Sequence, residues 1–356
     1  MLVELFPEGI FRAITHRAAF AAVLAFLGSM FLMPAFLAWL KRRRIGERVE
    51  KGDAPQLDQA LRSKANTPTM GGLFIVVSVV AAAVLFGKFS QGIVGVALAC
   101  LGGMALIGLT DDWFKLRRNP KGLSVFRKLV LQVVVGYLAA TATFLLMLSS
   151  DPTHASVLYL GPFGSLDLGG WYPTFLMLVI VLCANAVNIT DGMDGLAAGS
   201  MTIAVFAFAI VCYVVGRSDF SAYLELPYMR SAAELTVVCA ACLGACLGFL
   251  WFNSYPAQVF MGDSGSLALG GLLGLVAAVT KQEMMLLFVG AVFMVEVGCS
   301  FLQIFWFKVT RRRLFPIAPP HHIYQLRGMH EVKITHRFLI VQAVLSIVAL
   351  ATLKLR

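Results

Sequence analysis

The sequence has 356 residues, 59% of them hydrophobic and only 13% charged, with a formal net charge of +10. That apolar share excludes an ordinary soluble domain, and it points to an all-α, polytopic membrane protein with residues 1–356 as a single domain. The surplus of cations needs no nucleic acid to explain it, because the headgroups of anionic membrane lipids are the default partner of a basic membrane protein.

In chain order, ten apolar stretches of about membrane-spanning length lie near residues 18–40, 70–87, 92–110, 129–149, 172–189, 195–215, 235–252, 264–280, 284–307 and 338–353. The 17 residues ahead of the first are short and mixed and lack a small-residue cleavage pattern, so they read as the lead-in to a span rather than a removable signal. Residues 41–69 are basic, and "SKANTPTMGG" puts Lys64 and Thr67 before a turn constrained by proline and followed by two glycines, where an anion can bind. The third stretch ends in "IGLTDDWFKLRR", with Asp111 and Asp112 adjacent and Lys115 on the same helical face as Asp111. Lys121, Arg127 and Lys128 follow. The fifth stretch runs into "NAVNITDGMDGLAAG", where helical spacing predicts one polar stripe of Asn185, Asn188, Asp191 and Asp194. The eighth opens in "VFMGDSGSLALGG" with Asp263. The ninth contains Glu296 near its middle, and "LFPIAPPHHIYQLRG" in the loop 308–337 carries His321 and His322, read as phosphate or sugar contacts.

Orientation follows from the cations. Residues 41–69, 111–128 and 308–337 hold eight, six and seven Lys or Arg, 21 of the chain's 29. Such loops stay in the cytoplasm during insertion, so with ten spans both termini lie outside. Five carboxylates, Asp111, Asp112, Asp191, Asp194 and Asp263, then share one membrane boundary with those cations. Metal binding and acid–base chemistry are the functional readings, since Mg²⁺ takes one or two carboxylates together with substrate phosphates. Plainer readings stand beside them: Asp263 capping the eighth helix, the 185–194 polar groups capping an interfacial turn, and Arg117, Arg118 and residues 41–44 anchoring helix ends to lipid.

Other features imply little. The seven cysteines all fall inside apolar stretches and behave as small hydrophobes, with no disulfide framework. "GDSGS" looks like a serine-protease loop but has no supporting residues, and the His pair lacks the further ligands that zinc needs. A secondary transporter using Glu296 is a remote alternative, although transporters cluster their polar residues near the bilayer midplane.

The motifs "TPTMGG", "DDWFK", "NAVNITDGMDGLA", "PAQVFMGDSGSLALGG" and "APPHHIYQLRG", in that order on ten spans, resemble the polyprenyl-phosphate N-acetylhexosamine-1-phosphate transferases. "TPTMGG" and "APPHH" are most similar to the branch that transfers phospho-N-acetylmuramoyl-pentapeptide. The resemblance implies a Mg²⁺-dependent transfer from UDP-N-acetylmuramoyl-pentapeptide to undecaprenyl phosphate, forming lipid I and UMP for peptidoglycan synthesis. The site would face the cytoplasm at the bacterial inner membrane, built from loops 41–69, 111–128, 190–195, 253–263 and 308–337, and a homodimer is the family expectation. Transfer of another N-acetylhexosamine 1-phosphate is the near alternative.

By the same resemblance Asp263 is the Mg²⁺ ligand and Asp111 and Asp112 are catalytic, with Asp111 a base on the lipid phosphate or a positioning or metal-binding residue. Substrate contacts fall on Lys64, Thr67, Lys115, Lys128, Asn185, Asn188, Asp191, Asp194, Asn253, Phe260, His321 and His322. The chain departs from the family pattern at Asn66, where glycine is expected, at Ile323, the third place of a histidine triplet, and at Gln325, usually acidic.

Overall fold

The computed structural model describes residues 9–42, 67–117 and 122–354, so Lys64, Asn66 and Lys121 and most of the loop 41–69 lie outside the described residues. The elements are α1 (Ile14–Arg42), α2 (Gly72–Phe86), α3 (Ile93–Arg117), α4 (Val125–Ser150), a hairpin of β1 (Val157–Tyr159) and β2 (Ser165–Asp167), α5 (Tyr172–Thr190), α6 (Leu196–Val215), α7 (Ser218–Tyr223), α8 (Ala232–Asn253), α9 (Gly262–Val279), α10 (Leu286–Val289), α11 (Ala291–Thr310), α12 (His321–Leu326) and α13 (Glu331–Ala351). The two strands pair antiparallel, with Val157 opposite Asp167.

Among the described residues nine helices, α1, α3, α4, α5, α6, α8, α9, α11 and α13, are long and apolar enough to cross a membrane, and α2 is a tenth apolar helix of 15 residues. The chain is an all-α, multi-pass membrane protein. Helices prevail because apolar surroundings offer no water to satisfy a free backbone amide or carbonyl, so the bonds must close within each segment.

The ninth apolar stretch departs from the single span expected. It is divided at Gly290 into α10 and α11. Glycine supports a helix poorly, and the backbone groups at the break are taken up by a side chain from α13: Gln342 accepts from the Val292 amide and donates to the Val289 carbonyl. Gln342 is wholly buried.

α9 is the centre of the bundle, with every residue from Asp263 to Val279 buried against α2, α3 and α5. Glycines set how close these helices come. A Cβ on Gly108 of α3 would lie 2.1 Å from the Asp263 carbonyl oxygen, one on Gly72 of α2 would lie 2.2 Å from the Gly265 Cα, and one on Gly270 would lie 2.3 Å from the Cys183 carbonyl oxygen in α5. Backbone therefore meets backbone on three sides of α9. α8 packs on α1, α2 and α6, and large apolar side chains such as Phe31, Leu138, Val309 and Ile347 face outward. All seven cysteines are free.

At the end of the bundle away from the acids, two buried cations hold elements together. Arg17 of α1 makes a bidentate pair with Glu234 of α8 at 2.7 and 2.8 Å and also donates to the Phe86 carbonyl at the end of α2. Lys281, just beyond α9, donates to the Ala155 and Val157 carbonyls of the hairpin, and its ammonium lies 3.7 Å from the centre of the Tyr172 ring, whose hydroxyl donates to Glu283.

Candidate active site

Three carboxylates meet where α3 crosses the start of α9. One oxygen from each of Asp111, Asp112 and Asp263 lies within 4.8 Å of the others, and all three residues are buried. α3 carries its acids on the last turns before Arg117, and the contact at Gly108, one turn earlier, sets them against the first turn of α9.

Each acid is held differently. Asp112 accepts from the Asp263 and Ser264 amides at 3.2 and 3.1 Å, so it caps α9 from another helix. The helix-capping alternative read for Asp263 is thereby replaced: the first free amides of α9 are taken by Asp112, and Gly262, at φ +73°, turns the chain where a Cβ would stand 2.8 Å from the Asp112 carboxylate. Asp263 is left free for other contacts. Its Oδ2 accepts from Lys115 at 2.9 Å and Lys128 at 2.5 Å, and its Oδ1 accepts from Asn188 at 2.7 Å. Asp111 pairs with Lys115 at 2.8 Å, the i,i+4 contact that spacing predicts, and accepts from the Leu123 amide. Lys128 lies 3.7 Å from Asp111.

Three carboxylates against two ammonium groups leave one net negative charge in a buried space. The donor set consists of carboxylate oxygens, hard ligands that suit a divalent cation such as Mg²⁺ and offer nothing to a soft one. The residues present therefore fit a hard metal ion.

The polar stripe predicted on residues 185–194 divides. α5 stops at Thr190, and Asp191 leaves helical geometry at φ −76°, ψ 43°, so the period that would align all four residues is lost. Asn188 stays on α5 and reaches Asp263 and Ser266, while Asn185, one turn back, donates to Gln132 of α4 at 2.6 Å. Asp194 accepts instead from the Ala257 amide, and its own amide donates to Glu331. Asn253 accepts from the Gly195 amide and donates to the Val259 carbonyl. These last two side chains tie the 191–195 turn to the segment before α9.

That segment also pairs with the "TPTMGG" stretch. The Phe260 amide donates to the Pro68 carbonyl, and the Gly71 and Gly72 amides donate to the Phe260 and Met261 carbonyls, which places Thr67 and Phe260 on adjoining strands of chain beside the acids. His321 opens α12 beside Gly192 and bonds Glu296, and His322 donates to Gln325 at 2.7 Å. The structure thus gathers Asp111, Asp112, Asp263, Lys115, Lys128 and Asn188 at one point, and sets Asn185, Asp191, Asp194, Asn253 and His322 in the surrounding frame.

Residues that spacing overlooked are Gln132, Ser266, Glu331 and Gln342. Gln132 had a signal: it interrupts the apolar run of α4 four residues after Lys128, on the same face. Glu296, the transporter's candidate acid, is buried against His321 rather than lining a path.

Residues 93–281 match the family described as Glycosyl transferase family 4, and residues 64–76 match the first signature of phospho-N-acetylmuramoyl-pentapeptide-transferases. The chain is 42% identical to the phospho-N-acetylmuramoyl-pentapeptide-transferase of Oleidesulfovibrio alaskensis over 98% of this chain and 95% of that protein. It is 43% identical to that of Nitratidesulfovibrio vulgaris over the same shares, and 42% identical to that of Granulibacter bethesdensis over 99% of this chain and 97% of that protein.

Proposed function

The chain belongs to the phospho-N-acetylmuramoyl-pentapeptide-transferase family, a transferase of peptidoglycan synthesis, and from that premise we propose that the Asp111, Asp112 and Asp263 cluster is its reaction centre. There phospho-N-acetylmuramoyl-pentapeptide passes from UDP to undecaprenyl phosphate. An oxygen of the lipid phosphate forms a bond to the β-phosphorus while the bond from that phosphorus to the bridging oxygen breaks, and the electron pair leaves with UMP. Lipid I remains.

The single observation that carries the assignment is the meeting of three carboxylates and two lysines at the start of α9. Two anions must be brought together and the charge that shifts toward the leaving group must be offset, which is positioning and electrostatics rather than covalent catalysis. Lys115 and Lys128 offer two ammonium groups that can pass from Asp263 to substrate phosphate. Asn188 orients the Asp263 carboxylate, and Asp112 holds the first turn of α9 in place. Asp111, fixed by Lys115 and the Leu123 amide, positions the lipid phosphate; a phosphate monoester with a second pKa of about 6 is already ionised at neutral pH, so no base is required.

Mg²⁺ held by Asp263, with Asp111 and Asp112 adjacent, would supply neutralisation of the diphosphate oxygens and orientation of the leaving group. Our reading puts this end of the bundle on the cytoplasmic side, where a nucleotide sugar is supplied; the bias of Lys and Arg toward its loops supports that reading. The test is UMP release by purified protein in detergent with Mg²⁺ and undecaprenyl phosphate. Release with UDP-N-acetylmuramoyl-pentapeptide, lost on chelation and absent with UDP-N-acetylglucosamine, is expected. Release with the simple sugar alone would move the activity to the sister reaction.

A further inference from the structure

A second buried pair of titratable groups lies against the turn that follows α5. Nδ1 of His321 donates to Glu296 Oε2 at 2.8 Å, and both side chains are wholly buried. The bond joins α11 to the first residue of α12. Among the described residues Nε2 of His321 has no hydrogen-bond partner, nor does Oε1 of Glu296. Nε2 is directed at Gly192, where an added Cβ would stand only 2.7 Å away. Gly192 lies in the turn that follows Asn188, the residue bonded to Asp263.

A carboxylate on one imidazole nitrogen fixes where the ring's proton sits and how the ring is turned. Here it fixes Nδ1 as a donor to Glu296 and directs Nε2 into the 191–194 turn. A buried ring nitrogen left without a partner is costly, and such groups in native proteins call for an explanation. A substrate oxygen entering over Gly192 would satisfy it. Glycine at 192 keeps a side chain from being driven into that nitrogen.

We propose that Glu296 is a positioning residue for the transfer: it holds His321 so that Nε2 hydrogen-bonds an oxygen of the phosphosugar portion of the nucleotide substrate. The inference rests on the transferase reading above. Glu296 itself touches no substrate and acts through the ring. It is distinct from the acid cluster in sequence and in contacts, yet reaches it through the end of α5.

The test is a double-mutant cycle read by UMP release from the purified protein. Glu296→Leu removes the acceptor at similar volume and is expected to lower kcat about 10–100-fold, the usual loss when a partner that orients a working side chain is removed. In a His321→Ala background the same change should cost less than about threefold, because the two residues act as one unit. Equal losses in both backgrounds would overturn the proposal and leave Glu296 a purely structural residue, as would full activity of Glu296→Leu.

Should Glu296→Leu fail to fold, Glu296→Gln keeps an acceptor for Nδ1–H and is expected to lose no more than about fivefold, the worth of one modest hydrogen bond. A folded Glu296→Gln as slow as His321→Ala would sink the positioning role. A wild-type protein that releases no UMP would fail the transferase reading instead. The pair is then still decided by the ¹⁵N resonances of the His321 ring, which should show a protonated Nδ1 in the wild type and a mixed tautomer in Glu296→Leu; unchanged resonances would overturn it.

Discussion

The two ends of the helix bundle both bury charge, but they match it differently. Away from the acids, Arg17 faces Glu234 one to one through two parallel bonds, and Lys281 is held by two hairpin carbonyls and the Tyr172 ring. At the other end, one oxygen of Asp263 is shared by two lysines, both of which also lie within ion-pair distance of Asp111, and an acid is left in excess. Closed pairs hold helices together. A shared and unbalanced set can exchange partners, which is what a site for phosphate and a cation requires. Burial of a charge therefore does not identify function in this protein; the stoichiometry of its partners does.

The comparison breaks most sharply at Asp263. Asp263→Asn keeps the volume but removes the charge that both lysines share, and UMP release should fall about a thousandfold while thermal unfolding in detergent stays near wild type. Retained activity would remove Asp263 from the reaction centre.

Glu234→Gln probes the opposite end and should reverse the pattern. It leaves Arg17 buried without its counter-charge, and a loss of about 3 kcal/mol in stability is expected, with the rate of UMP release per folded molecule unchanged. A fall in that rate without a fall in stability would mean that the closed pair also serves the chemistry.

The smallest effect sharpens the comparison through pH. Burial pushes the Lys281 ammonium down from its ordinary 10.5 to about 8, partly offset by Glu283, Asp151 and Asp167. The folded protein thus binds this proton more weakly than the unfolded chain, so raising the pH from about 8 to 10.5 adds stability, at about 1 kcal/mol per pH unit. Relative to Lys281→Met, the wild type should gain stability across that window in thermal unfolding measured at each pH. A flat difference would show Lys281 to be as readily charged as a lysine in water.

Much of this architecture was legible because it depends on neighbours in sequence. The apolar stretches begin and end within a few residues of the helices, and the Asp111–Lys115 pair follows from a four-residue spacing. What spacing could not show involves distant chain. Lys128 and Asn188 reach Asp263 across 135 and 75 positions, and the cap on α9 comes from Asp112, 151 residues earlier. Helical period also fails where the helix stops: extending it past Thr190 aligned Asp191 and Asp194 with Asn188, and the turn at Gly195, with φ +72°, sends Asp194 to another segment. Gln342 drew no reading and Glu296 read as a lone acid in an apolar run, since the backbone break between α10 and α11 and a ring from α12 are visible only once those helices are packed.

The glycine contacts around α9 have a consequence for how the protein meets its membrane. Where backbone rests on backbone at Gly72, Gly108 and Gly270, no side-chain rotamer lies between α9 and its neighbours to absorb a displacement. The helices that face outward, α1, α4, α11 and α13, have most of their surface free to meet lipid. A bilayer a few ångströms thicker or thinner is accommodated by tilt of such helices and by distortion of the lipid beside them. The carboxylates ride on the rigid inner set, so the spacing that the chemistry needs is insulated from the acyl-chain length of the surrounding membrane.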